Sequence, residues 1–140
     1  GATGAVTNFD GLTGVAPDTG GLGLFPRFRA TGNLTYNNGP FSLFFQGRVI
    51  GSGARSFTLA PEAIADNDTP SVFYADMRLS YELEFGDTTI ELWGSVTNLF
   101  DKDPPVEGTY STFTGASTQY NAGLFDVLGR RFTIGAKFEM

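Results

Sequence analysis

Apolar and polar residues alternate strictly along several stretches of this chain. From Pro26 to Tyr36, apolar or small residues occupy every second position, and the positions between them carry arginine, threonine or asparagine. The most regular stretch runs from Phe73 to Phe85, where aromatic and aliphatic residues alternate with polar and charged ones. Because successive side chains of a strand point to opposite faces, each stretch predicts a strand with one apolar face.

Short polar segments join these stretches in pairs. Residues 37–40, with the sequence Asn-Asn-Gly-Pro, predict a four-residue turn that pairs Tyr36 with Phe41. The Gly-Asp dipeptide between Phe85 and Thr88 predicts a two-residue hairpin turn that pairs these two residues. In both hairpins the predicted register places the apolar residues of the two strands on the same face.

The other connections are long and contain many glycine, proline and aspartate residues. They cover residues 1–25, 51–70 and about 101–123, and a last alternating strand runs to Met140. Long connections therefore alternate with short ones between strands of about ten residues, which is typical of outer-membrane β-barrels. The pattern predicts an all-β, antiparallel up-and-down meander of about five long strands.

Aromatic residues beside the short turns would lie at one height on the apolar face and form an interfacial girdle: Tyr36, Phe41, Tyr81 and Phe85. On the polar face, Glu82 and Glu91 would face each other across the second hairpin. Paired carboxylates occur in glycosidases. A hydrated acidic patch compensated by Lys137 is the interpretation we prefer, because like charges cost little in water.

Composition narrows the possible functions. The chain has no cysteine and no histidine, which removes disulfides, thiolate metal sites and the commonest general base. Its net charge of −6 would repel phosphate backbones, so nucleic acid is not expected as a partner. We expect neither enzymatic activity nor a cofactor. The sequence shows neither a signal peptide at Gly1 nor an apolar stretch long enough for a membrane helix.

Two other classes of protein fit the alternation. One is a soluble β-sandwich, such as a carbohydrate-binding module, in which the apolar face covers a core. The other is a passive porin or adhesin barrel. The 14 phenylalanines argue against the sandwich, because five strands would leave too much aromatic surface exposed.

Two motifs resemble TonB-dependent outer-membrane receptors. Residues 96–105 resemble the penultimate strand and the loop that follows it, with a run of family-type residues at Asn98, Leu99, Phe100 and Asp101. Gly129 and Arg130 resemble the pair that opens the last strand of these receptors.

This resemblance covers residues 26–140 and implies a particular place in a larger protein. The chain 1–140 would be the C-terminal portion of a receptor, with residues 1–25 as an outer loop and 26–140 as the last five strands of a barrel of about 22 strands. Five strands cannot close a barrel. The partners implied are outer-membrane lipid, the remainder of the barrel, the plug domain, and TonB acting through the plug, which this sequence lacks together with the TonB box.

The resemblance also implies a function and a location. Such receptors lie in the outer membrane of Gram-negative bacteria and import scarce nutrients, namely siderophore-bound iron, cobalamin or carbohydrate, with energy delivered through TonB. The last strand resembles the signal recognised by the barrel-assembly machinery, which would be carried here by Thr133, Gly135, Phe138 and Met140. The family usually ends in phenylalanine or tryptophan, whereas this chain ends in methionine.

Overall fold

The computed structural model describes residues 11, 13, 15–16, 21–22, 25–54, 66–106 and 120–139. These residues form an all-β structure without helices, and consequently none of them belongs to a helix that could cross a membrane. The strands are β1 (Val15–Ala16), β2 (Gly21–Leu22), β3 (Arg29–Asn38), β4 (Phe41–Ile50), β5 (Gly53–Ala54), β6 (Asp68–Thr69), β7 (Val72–Phe85), β8 (Thr88–Thr97) and β9 (Arg131–Glu139).

The chain divides into two compact units. The sheet unit holds the long strands and the loop unit holds most of the connections. The sheet unit comprises Ala30–Val49, Val72–Asp103 and Asp126–Met140, and the loop unit comprises Gly1–Arg29, Ile50–Ser71 and Pro104–Phe125.

One antiparallel sheet of five strands, in the order β3-β4-β7-β8-β9, makes up the sheet unit. Each long strand therefore lies beside the long strand that precedes it in the sequence. This order confirms the predicted all-β meander of five long strands. Membership of a larger barrel stays a prediction.

The second hairpin has the register that the sequence predicts. Phe85 pairs with Thr88 and Met77 pairs with Val96. Gly86, at the first turn position, has a φ of 61°. Glycine adopts a positive φ without steric cost, and this conformation at the first of two turn residues is typical of a type II′ hairpin.

The first hairpin differs from its predicted register. β3 continues to Asn38 and β4 begins at Phe41, so the turn has two residues and not four. Gly39, with a φ of 57°, again takes the first turn position. The Gln46 amide donates to the Asn33 amide oxygen at 3.0 Å, as the shorter turn requires.

The partner of Tyr36 therefore shifts from the predicted Phe41 to Leu43. The shift is two residues, so each side chain keeps its face of the sheet. The tight turn replaces the open one because glycine and proline already hold the backbone angles that a two-residue connection needs.

The first long strand also begins later than predicted, at Arg29 and not at Pro26. Pro26 has no N–H to donate to a strand ladder. In the loop unit, the Phe28 carbonyl accepts a hydrogen bond from the Gly51 N–H at 2.7 Å. Arg27, predicted on the polar face of the sheet, instead lies against Gly11, where an added Cβ would come within 2.9 Å of its side chain.

The segments predicted as separate long loops are hydrogen-bonded to one another in the loop unit. The Thr13 N–H donates to the Ala54 carbonyl at 2.9 Å, and the Asn121 amide donates to the Thr13 carbonyl at 2.7 Å. β1 pairs with β2, and β5 pairs with β6. The loop unit thus has defined local structure at these points.

The two faces of the sheet carry different side chains. Large apolar residues on one face have much of their surface exposed: Leu34, Tyr36, Leu79, Tyr81, Phe85, Leu92, Phe132, Ile134 and Phe138. Ile134, for example, is 86% exposed. The register places Arg78, Glu82, Glu91 and Lys137 on the opposite face.

A glycine on the polar face makes room for the single tryptophan of the chain. Gly135 pairs with Trp93 across β8 and β9, and a Cβ added to Gly135 would lie 2.6 Å from the indole ring. The Arg78 guanidinium lies 4.4 Å from the centroid of the same ring. The indole therefore covers the glycine and also carries a cation–π contact.

We predict that Gly135→Ala destabilises the sheet by about 1 to 3 kcal/mol, because the new methyl group overlaps the indole. Gly94→Ala is the matched control on the neighbouring strand, since its added Cβ would be 3.8 Å from the nearest atom. The control should change stability by less than about 0.5 kcal/mol. Denaturant unfolding followed by Trp93 fluorescence measures both. Equal effects would show that the indole does not occupy this space.

Candidate functional site

The two sequence motifs meet at the end of the sheet opposite the short turns. Asn98 follows β8 directly and has a φ of 54°, a left-handed conformation that asparagine tolerates better than most residues. Its backbone N–H donates to the Asp76 carboxylate at 2.9 Å. The Leu99 N–H donates to the Ala75 carbonyl at 2.7 Å. These bonds attach the start of the motif to β7.

The side chain of Asn98 closes the turn that follows. Its Oδ1 accepts from the Lys102 N–H at 2.8 Å, and its Nδ2 donates to the Lys102 carbonyl at 3.0 Å. Asn98 itself is only 1% exposed, so both amide groups need protein partners. An aspartate at position 98 would lack the Nδ2 donor, and a glycine there would lack both side-chain hydrogen bonds.

Asp101 connects this turn to the start of the last strand. It also has a left-handed φ, of 52°, and its carboxylate accepts from the Arg130 N–H at 2.9 Å. The Arg130 guanidinium lies 3.8 Å from the same carboxylate and donates to the Leu99 carbonyl at 3.5 Å. Gly129, with a φ of 71°, allows the backbone to enter β9 at this point. We call Asn98, Asp101, Gly129 and Arg130 the clasp.

Leu99 and Phe100 differ from each other in environment. Leu99 is half-buried, whereas Phe100 is 61% exposed and its ring centroid lies 6.1 Å from that of Phe73. Arg130 lies over the exposed ring of Phe132 at 5.7 Å. Aromatic side chains are thus present at this end of the apolar face as well as beside the short turns.

A second group of polar residues lies next to the clasp. Asp126 accepts hydrogen bonds from Arg131 at 3.1 Å and from the Leu128 N–H at 2.9 Å. The Asp126 N–H donates to the hydroxyl of Tyr74, which is buried in β7. Arg48 lies over the Tyr74 ring, 5.3 Å from its centroid. β4, β7 and the segment before β9 are therefore joined here.

The pKa of Asp126 reflects two opposing effects. Burial would raise it, since its side chain is only 9% exposed. Hydrogen bonds from Arg131 and from the Leu128 N–H, together with the positive charge of Arg131, outweigh burial and lower the pKa below its ordinary value.

The proposed assembly signal lies in β9. Thr133 and Phe138 are exposed on opposite faces, and Gly135 is half-buried under Trp93. Met140 lies outside the described residues. Ile90 of β8 pairs with Phe138, and among the described strands β9 has a neighbour on one side only. The geometry thus leaves one edge of β9 open, and the signal role stays a prediction.

Two acidic residues of the polar face, Glu91 and Glu139, form salt bridges with cations. Glu82 pairs with Glu91 as the sequence predicts, and Lys137 pairs with Glu91 from the other side. Arg78 lies 3.4 Å from the Glu91 carboxylate, and Lys137 forms a salt bridge with Glu139. Arg78 and Lys137 thus offset only part of the acidic charge of this face, because their salt bridges are with Glu91 and Glu139.

No family model, curated protein or solved structure matches this chain. The resemblance to TonB-dependent receptors accordingly stays a prediction that depends on residues 96–105 and on the Gly129-Arg130 pair.

Sequence reasoning missed three residues that organise these sites. Tyr74 was an ordinary polar-face position in the alternation, and Trp93 had no predicted contact. Asp126 carries a local signal, because an aspartate often accepts from the backbone two residues onward, as it does from Leu128 here. Contacts between distant strands gave no signal in the sequence.

We predict that Asn98→Ala destabilises the protein by about 2 to 4 kcal/mol, because it removes two buried hydrogen bonds and strains a left-handed residue. Asn98→Gly should cost about 1 kcal/mol less, since glycine adopts the same φ freely. Denaturant titration of both variants tests this difference. Equal losses of stability in the two variants would contradict backbone strain in Asn98→Ala. Negligible losses in both would show that the clasp does not stabilise the protein.

We also predict an acid-dependent loss of stability from Asp126. A carboxyl with a lowered folded pKa stabilises the protein fully above its unfolded pKa, and loses that effect as pH falls through the folded value. Unfolding measured between about pH 3 and pH 6 should show a difference between wild type and Asp126→Asn that shrinks in acid. A constant difference would contradict the lowered pKa.

Proposed function

We propose that this chain forms part of an outer-membrane active transporter that imports a scarce nutrient with energy coupled through TonB. The exposed apolar face of the sheet carries this proposal. In water, aromatic and aliphatic side chains that are about half exposed or more over four strands would be costly. Against lipid they are in a favourable environment.

The length of the strands supports a membrane setting. β7 has 14 residues, which at about 3.3 Å per residue extend roughly 46 Å. Tilted by about 40°, such a strand rises about 35 Å, enough for an apolar band of about 25 Å and both interfaces. Aromatic residues lie near both ends of this span, with Phe73 at one end and Phe85 at the other.

The two hairpin turns lie at different levels along the strands, and this offset supports strands that are tilted. The Glu82 N–H donates to the Pro40 carbonyl at 2.9 Å, so the first turn lies level with Glu82. β7 continues to Phe85 before the second turn. A closed barrel requires such a stagger, because its strands are inclined to the axis.

The remaining parts of the proposal come from the resemblance. The clasp joins residues of both family-type motifs, and the long connections would face outside the cell and help to capture ligand. Siderophore-bound iron, cobalamin and carbohydrate are the substrate classes proposed. Lipid, the rest of the barrel, the plug domain, TonB and the assembly machinery are the proposed partners.

A transport experiment tests the proposed energy-coupled import of a nutrient. Cells that carry the intact gene should accumulate one of the three labelled nutrients at low external concentration, and a protonophore or loss of TonB should abolish the accumulation. Uptake that persists in de-energised cells would favour a passive porin. A water-soluble, secreted protein would contradict the proposal and favour the carbohydrate-binding sandwich.

We predict that Leu79→Arg destabilises the protein in lipid bilayers by about 2 to 4 kcal/mol, because it places a charge against hydrocarbon. Ser80→Arg is the control on the adjacent position and opposite face, and it should cost less than about 1 kcal/mol. Reversible unfolding from lipid vesicles measures both. Similar costs for the two variants would contradict a lipid-facing apolar surface.

A further inference from the structure

Among the described strands, none lies beside one edge of β7 near the second hairpin turn. The hydrogen bond from the Glu82 N–H to the Pro40 carbonyl is the last backbone bond from β7 toward β4 among the described residues. β4 begins only at Phe41, whereas β7 continues to Phe85. The end of β7 therefore extends past its neighbour.

The alternation of the backbone identifies the groups left open. In an antiparallel strand, residues two apart point their N–H and C=O groups to the same edge, so Glu84 faces the same side as Glu82. Pro40 has no N–H to return to the Glu82 carbonyl. The Glu82 carbonyl and both backbone groups of Glu84 thus lack a partner within the described structure. We call these groups the β7 edge.

The β7 edge lies in the interior of the strand order. Strands that pair with the outer edges at β3 and β9 would not reach it, because β7 stands between β4 and β8. Beside it is an open notch of about 490 Å³, lined by Gly39, Pro40 and residues 81–84. The opening does not depend on the transport function proposed above.

The side chains around the notch define what would fit. Glu82 and Glu84 are exposed on the polar face, and Leu83 lies on the apolar face between them. Neither glutamate forms a salt bridge within the described residues, whereas Arg78 and Lys137 are engaged by Glu91 and Glu139. An added strand with basic residues on one face and apolar residues on the other would match this pattern.

We propose that the β7 edge binds a short extended peptide segment in which lysine or arginine alternates with apolar residues. The segment adds as a strand, with its backbone bonded to Glu82 and Glu84. Its basic side chains lie over the two carboxylates, and its apolar side chains lie beside Tyr81 and Leu83. Association weakens as salt rises, since the carboxylates are exposed.

The test uses a fluorescent peptide that alternates lysine and valine, added to the purified full-length protein while anisotropy is recorded. Glu84→Pro removes the donor at the β7 edge and should weaken binding by about tenfold or more. Glu84→Lys should weaken it through charge alone, and a glutamate-valine peptide should not bind. Hydrogen exchange should show protection of the Glu84 N–H when the basic peptide is bound.

Asp87→Pro is the matched proline control, because it gives the second turn the Gly-Pro sequence that the first turn already has. It should fold normally and change peptide affinity by less than about threefold, since Asp87 lies outside the edge. Glu84→Lys keeps the test decisive if Glu84→Pro does not fold. Binding unaffected by either Glu84 variant overturns the proposal, as does absence of binding or self-association of the protein through this edge.

Discussion

Every strand places successive side chains on opposite faces, and the two faces of this sheet differ in polarity. Its apolar face carries Leu34, Tyr81 and Ile134 with most or much of their surface exposed. Its polar face carries charged residues and the Trp93–Arg78 stack. A medium of low polarity on one side and water on the other would satisfy both faces, which is the physical basis for proposing that the sheet belongs to a membrane wall.

Neighbouring strands that are joined by a long connection also need contacts that fix their register. The second hairpin fixes its register through Gly86, but β8 and β9 are separated by more than 30 residues. The clasp compensates for that separation, because Asp101 binds the Arg130 N–H one residue before β9 starts. The Trp93 indole over Gly135 holds the same two strands further along. Local hydrogen bonds and one aromatic contact thus fix the register of β8 and β9, as a short turn does in each hairpin.

The sequence predicted the strands and their faces well, because a period of two is a local property. The register of the second hairpin also followed from Gly86 and Asp87. The first register was wrong by two residues, since Asn37 and Asn38 are acceptable both in a turn and in a strand. At the candidate site, the motif residues were predicted by resemblance, but their contacts with Asp76 and Ala75 depend on which strands become neighbours. Alternation alone does not encode that information.

Contact of the apolar face with lipid and of the polar face with water can be measured residue by residue. Because the chain has no cysteine, single cysteines placed at Leu79, Ser80, Tyr81 and Glu82 can each carry a spin label at a unique position. Collision with oxygen reports exposure to lipid, and collision with a water-soluble nickel complex reports exposure to water. We predict that Leu79 and Tyr81 favour oxygen while Ser80 and Glu82 favour nickel. Labels at Leu79 and Tyr81 that are shielded from both reagents would instead show a packed protein core and contradict contact with lipid.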